Sequence, residues 1–291
     1  MKYKSRSYAV FQIINTTLML ALVAICLYPF LYIFAISLSD SSAVLGRKIT
    51  IFPVGFNLQA YKMVAEHPNF LTSYRNTILY TSLGTAISLF MTVICAYPLS
   101  KKHLRGRGII MKFIMFTMFF GGGLIPNFII VNSLHFTDNI WALVIPGAIN
   151  QYSLILIIIF FQGLPESLEE AAAIDGLNPI QVLIQIVLPL SKPVMATVGL
   201  FTAVFFWDWF YSMIYMNSND KFPVMLFLRN IVMGAELAAR DGSLRNVSDL
   251  NVVSSTLKSS TIILVIIPII FVYPFIQKYF VKGVMLGSLK G

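Results

Sequence analysis

The sequence is poor in charge. Of 291 residues only 11% are Asp, Glu, Lys or Arg, while 57% are hydrophobic. A soluble domain carries about 25% charged residues. A globular enzyme with one large core is thereby excluded, and an integral membrane protein is indicated. Cysteine is scarce as well. Cys26 and Cys95 both fall inside apolar runs and read as inert buried thiols that say nothing firm about redox compartment. The three histidines, His67, His103 and His135, are dispersed without ligand spacing, so no metal site is expected. There is no G-x-x-x-x-G-K-S/T phosphate loop, no catalytic constellation and no internal repeat. The missing repeat weakens a secondary-transporter reading. The net charge of +9 does not point to nucleic acid. Its basic residues stand at the ends of apolar runs, where membrane proteins keep them.

What is present is a series of long apolar runs. The start, MKYKSRSYAV, is basic and leads into one of them. Leu18 to Ile36 is too long for a signal-peptide core and lacks a clear cleavage site, so it reads as a retained first span. A span needs about 20 mainly apolar residues. Six segments qualify: about 12–37, 76–100, 109–131, 140–163, 193–216 and 259–281. Each is expected to be a helix, because an isolated segment in lipid must pair its own backbone. Pro29, Pro98, Pro126, Pro146, Pro268 and Pro274 fall within or beside these runs. Gly121-Gly122-Gly123 before Pro126 is the strongest candidate for a functional bend.

Orientation follows from Lys and Arg. Lys2, Lys4 and Arg6 mark the N-terminus, Lys101, Lys102, Arg105, Arg107 and Lys112 the second loop, and Lys278, Lys282 and Lys290 the tail. The loop from Ser133 to Asn139 has none. Both termini and the second and fourth loops are therefore expected in the cytoplasm.

The fourth loop is unusual for an inside loop. Glu166, Glu169, Glu170 and Asp175 crowd it, and Lys192 is its one basic residue. Its first part, PESLEEAAAID, opens on a proline suited to a helix start and consists of strong helix formers. Gly176 suits the left-handed residue that ends a helix. Asn178 with Pro179 and Gln181 has the spacing of a capping box, with Leu177 and Val182 as its hydrophobic staple. Pro189 cannot join the interior of the second helix. The loop thus reads as two short helices bent at Gly176, with small Ala171-Ala172-Ala173 allowing close approach of another surface. An amphipathic helix lying on lipid would favour Lys and Arg instead.

The spacing of Glu170, Ala171, Ala172, Gly176, Ile186, Leu188 and Pro189 resembles the cytoplasmic signature loop of binding-protein-dependent ABC importer permeases. The likeness extends through GGGLIPNFIIVNSLHFTDNIWALVIPGAINQYSLILIIIFF, LPLSKP and QKYFVKGVMLGSLKG, and covers nearly the whole chain. It is closest to the carbohydrate branch, which includes maltose permeases and Gram-positive oligosaccharide permeases. Two departures stand out: Asp208 in FFWDWF, where another polar residue is usual, and ILIIIFF, which lacks a polar residue often found there.

The resemblance implies an all-α integral membrane protein with a MetI-like permease fold of six spans. Residues 1–70 would hold the N-terminus, first span and external loop, and residues 71–291 the permease core. Within the core, residues 164–192 would be the coupling loop that docks in a cleft of an ATPase. Glu170, Ala171, Ala172, Asp175, Gly176, Ile186, Leu188 and Pro189 would be its working residues. The implied partners are a second permease subunit, two ATP-binding cassette subunits and an extracytoplasmic solute-binding lipoprotein, with lipid around the spans. ATP and Mg would be held by the partner ATPase and no cofactor by this chain. The implied function is import of a sugar or oligosaccharide across a bacterial plasma membrane. An importer for a polyol or glycerol-phosphate ester is the alternative, and a stand-alone secondary transporter a more distant one.

Candidate substrate-pathway residues come from the spans. Asp208 is the one acid within a span, and an ionised carboxylate there costs about 2.5–3.5 kcal/mol on insertion scales. With Trp207, Trp209 and Tyr211 beside it, it reads either as a sugar contact or as part of an outer aromatic belt. Asn132, Asn150, Gln151 and Tyr152 are weaker candidates. In the external loop 217–258, FPVMLFLRNIVMGAELAAR has the pattern of an amphipathic helix, and RDGSLRNVSD could reach into a binding protein or rest as a lid.

Overall fold

The computed structural model describes residues 6–46, 48–209, 212–240 and 255–274. Among them every extended element is a helix, and one isolated antiparallel bridge, Ser39 with Phe56, is the sole β pairing. The main helices are α1 (Arg6–Ser37), α2 (Phe70–Ser100), α3 (Arg107–Phe119), α4 (Leu124–Ser133), α5 (Gln151–Gln162), α6 (Glu166–Ile174), α7 (Pro179–Leu190), α8 (Lys192–Trp207), α9 (Val224–Arg240) and α10 (Ser255–Pro274). Tyr211, the segment RDGSLRNVSD beyond Arg240 and the tail QKYFVKGVMLGSLKG lie outside the described residues.

Among the described residues three helices, α1, α2 and α10, are long and apolar enough to cross a membrane. The count rises to five if the bent pairs α3–α4 and α7–α8 each form one span. Three expected spans are therefore not single helices: 109–131, 140–163 and 193–216, where α8 ends at Trp207 and a separate short helix follows at Ser212–Tyr215. The run 109–131 breaks at Phe120–Gly123, where the chain turns by 114° and Gly123 takes φ +83°. Three consecutive glycines make that turn sterically free. The run 140–163 becomes a turn of helix at Trp141–Val144, an irregular stretch, and then α5. Pro146 has no N–H to offer a helix, and Gly147 is needed for close packing: a Cβ there would lie 3.0 Å from the Phe206 ring. At 12 residues, α5 spans about 18 Å, short of the roughly 30 Å hydrocarbon core.

The chain divides into two compact units. One comprises Met1–Phe70 with Leu228–Ile267. Here the end of α1 is tied by hydroxyls. Ser39 Oγ donates to the Ala35 carbonyl at 2.6 Å and accepts the Val54 N–H at 3.0 Å. Ser260 Oγ donates to the Ser37 carbonyl at 3.2 Å. Every side chain from Ser7 to Phe30 is exposed, as suits a lipid-facing helix.

The other unit comprises Leu71–Phe227 with Pro268–Gly291. Its largest apolar cluster joins Val93, Ala96 and Leu99 of α2, Leu154, Ile157, Ile158 and Phe161 of α5, Ala172 of α6, Val182 and Val187 of α7, and Val194 and Val198 of α8. In lipid such packing rests on van der Waals contact and close approach of small residues. One side of α2 supplies that approach, with Ser73, Thr77, Ser88 and Thr92 buried. Gly84 lies against Phe206, and a Cβ there would lie 2.8 Å from its ring.

Candidate functional site

The elbow between α5 and α8 is fixed at its bend, where α6 ends and α7 begins. After α6, Gly176 has φ +80°. Its N–H meets the Ala173 carbonyl at 3.1 Å, and the Leu177 N–H meets that of Ala172 at 3.0 Å. This pair of bonds is the Schellman motif, which satisfies the last carbonyls of α6. Two residues on, Asn178 Oδ1 accepts the Gln181 N–H and Gln181 Oε1 accepts the Asn178 N–H, both at 2.9 Å. The capping box read from the sequence is thus formed. Leu177 and Val182 both pack into the large apolar cluster.

Pro189 departs from expectation, since it lies inside the helical run of α7. Residues Leu183–Val187 just before it are wound as a π-helix. That wider turn displaces the carbonyls with which a proline ring would collide in an α-helix. The helix then turns by 82° into α8 at the buried Ser191.

Side chains of the elbow divide by face. Ala172 is 3% exposed and Val187 1%, so both point into the cluster, where Ile186 and Leu188 also pack. Glu170, Ala171, Asp175 and Pro189 face outward. Two apolar residues missed in the sequence join them on the outside: Ile174, 87% exposed, and Ile180, 68%. Gly176 has open space on its Cβ side.

Two acids of α6 have partners on the second loop. Lys101 Nζ bonds both carboxylate oxygens of Glu169 and lies 4.5 Å from the centroid of the Tyr97 ring. Tyr97 packs edge-on against Phe161 of α5, with centroids 6.4 Å apart. Lys102 and Glu166 approach to 3.8 Å, but both are about four-fifths exposed, and such a pair contributes little.

A separate cavity of about 1010 Å³ opens among Leu124, Asn127, Ile130, Phe136, Pro146, Phe205, Asp208, Trp209 and Tyr215. Asp208 ends α8, its N–H bonded to the Val204 carbonyl at 3.0 Å. Trp209 lines the cavity, whereas Trp207 turns away and packs edge-on against Tyr74, 6.5 Å between centroids. Asn132 is exposed and does not line the cavity. Asn150 caps α5 by accepting the Ser153 N–H at 3.0 Å, and Gln151 is that helix's half-buried first residue. Asn127 and Trp209 supply polar and aromatic lining. Asn127 could have been suspected from the GGGLIP bend that precedes it.

Beside the cavity, Asp138 forms a clamp. Its carboxylate accepts the N–H groups of Asn217 and Ser218, both at 3.0 Å, the Ser218 hydroxyl at 2.5 Å and Lys221 Nζ at 2.8 Å. Its own N–H meets the carbonyl of Tyr215, a cavity residue, at 2.7 Å. Lys221 and Ser218 hold the Asp138 carboxyl well below the usual carboxylate range.

Residues 70–286 match the family described as binding-protein-dependent transport system inner membrane component. The chain is 42% identical to Protein LplC of Bacillus subtilis, covering 99% of this chain and 98% of that one. It is 40% identical to the polygalacturonan/rhamnogalacturonan transport system permease protein YtcP of the same organism, covering 92% and 93%. A solved bacterial ABC transporter that imports the acidic polysaccharide alginate is 36% identical, with a TM-score of 0.84 over 96% of this chain and 100% of that one. The chain therefore belongs to the family of binding-protein-dependent transport system inner membrane components, and is an ABC transporter permease of the bacterial cell membrane.

Proposed function

We propose that this chain is one permease subunit of an ATP-driven importer for a sugar or oligosaccharide. A second permease subunit completes the pathway, two ATPases drive it, and an extracytoplasmic binding protein delivers the solute. The chain crosses the membrane six times with both termini inside, in a Gram-positive cell. The elbow's outward residues Glu170, Ala171, Ile174, Asp175 and Ile180 form the ATPase-docking face. An 87% exposed isoleucine beside small residues suits such a surface. ATP and Mg belong to the ATPases.

The observation that carries this reading is the shared cluster. Ala172, Val182 and Val187 of the elbow pack directly with α2, α5 and α8. A rigid-body motion imposed on the elbow is thereby passed to three membrane helices at once. The cavity with Asp208, Asn127 and Trp209 forms this chain's share of the sugar path, since hydroxyls pair with acids and amides and sugar faces stack on aromatics.

The test is Gly176→Val in proteoliposomes of the whole importer. A branched residue at φ +80° is strained by roughly 1–2 kcal/mol and distorts the bend without entering the core. The subunit is expected to remain in the membrane while uptake per ATP hydrolysed falls several-fold. Unchanged uptake would remove the elbow from the mechanism. Uptake by this chain without any ATPase would favour a stand-alone transporter.

A further inference from the structure

The cavity beside α8 carries one charged side chain among its described lining, and it is negative. The remaining polar groups are the Asn127 amide, the Trp209 indole N–H and the Tyr215 hydroxyl. Phe205 and Trp209 stand 5.1 Å apart between ring centroids, on either side of Asp208 in the chain. Asp208 is exposed in the cavity and fixed at the end of α8 by its N–H bond to Val204. Lys221, the cation tied to this region, is engaged elsewhere. Its ammonium bonds both the carboxylate and the carbonyl oxygen of Asp138, each at 2.8 Å.

These groups treat neutral and acidic sugars differently. A hydroxyl donates to the Asp208 carboxylate, and the apolar face of a pyranose packs on Trp209. A uronate brings a carboxylate, which needs Arg or Lys donors to offset its lost hydration. Here it meets a second carboxylate in a cavity whose other walls are largely apolar and aromatic, where like charges repel more strongly than in water.

Resting on the reading of this cavity as the sugar path, we infer that Asp208 makes it select uncharged, hydroxyl-rich sugars and reject acidic ones. The chain would then part company with relatives named for polygalacturonan and alginate, despite 36–40% identity to them.

The test compares two probes of one shape. Trigalacturonate and its full methyl ester differ in charge and little else. Their binding is measured by saturation-transfer NMR on the complete importer in nanodiscs, without the binding protein, which would preselect one probe. The wild type is expected to bind the ester about tenfold more tightly than the acid at low salt, with the gap narrowing as salt rises. Asp208→Asn should close the gap to within about threefold, and Asp208→Glu should keep it. Equal binding of acid and ester by the wild type, or an unchanged gap in Asp208→Asn, would overturn the inference and leave the sugar path standing. Binding of neither probe would remove the sugar-path reading and the inference with it.

Discussion

At the scale of single residues, Asp138 is held from several sides. Four donors converge on its carboxylate, and its backbone has φ +57°. Aspartate tolerates that conformation better than most residues. Its depressed folded pKa has a definite sign in the pH dependence of stability. The stabilisation is fully present above the unfolded value of about 3.9 and is lost as pH falls through the lower folded value. Asp138→Asn keeps the backbone preference and one acceptor but loses the charge. The variant should melt below the wild type at pH 7, with the difference shrinking as pH is lowered below about 4 in a detergent melting series. A pH-independent difference would mean that shape, not charge, sets the clamp. Asp138 was invisible in the sequence because its partners lie 79 to 83 residues away. Gly176, Asn178 and Gln181 were legible for the opposite reason: their bonds close within five residues, so spacing alone encodes them.

At the scale of elements, the question is what holds α6 against the membrane helices. Local signals gave its start, its Schellman end and the capping box of α7. They could not give the π turn before Pro189, the 82° bend at Ser191, or the ion pair that ties α6 to the end of α2. Lys101 and Glu169 are each about three-quarters buried, and Lys101 also rests on Tyr97, which in turn meets Phe161 of α5. This pair positions the elbow relative to α2 and α5. Lys101→Ala and Glu169→Ala should each lower uptake per ATP while leaving assembly with the ATPases intact. The exchanged pair Lys101→Glu with Glu169→Lys should recover a large part of the loss. A double-mutant cycle on stability should give a coupling of roughly 1–2 kcal/mol, against about 0–1 for the exposed Lys102–Glu166 pair. If reduced uptake is matched by reduced co-purification with the ATPases, the pair serves assembly and not coupling.

At the scale of the whole molecule, composition identified a membrane protein and the charge pattern proposed its orientation, but hydropathy overestimated the regularity of its crossings. It sees apolar residues and is blind to a chain that turns by 114° at three glycines or breaks around Pro146. Such breaks are tolerated at membrane depth only where the freed backbone packs on protein or lines a cavity. The Phe206 ring against Gly147 and the cavity beside Leu124 and Pro146 provide both conditions here. The proposed orientation demands that α3 and α4 together still cross the bilayer, so that Lys102 lies inside and Asn139 outside. Both residues are exposed and can be replaced singly by cysteine after Cys26 and Cys95 are changed to serine. With a membrane-impermeant thiol reagent on intact spheroplasts, Asn139→Cys should label at once and Lys102→Cys only after permeabilisation. Labelling of both from one side would make α3–α4 a re-entrant loop and remove one of the six crossings. Labelling of Lys102→Cys alone from outside would place the elbow on the face away from ATP, and the coupling role could not survive it.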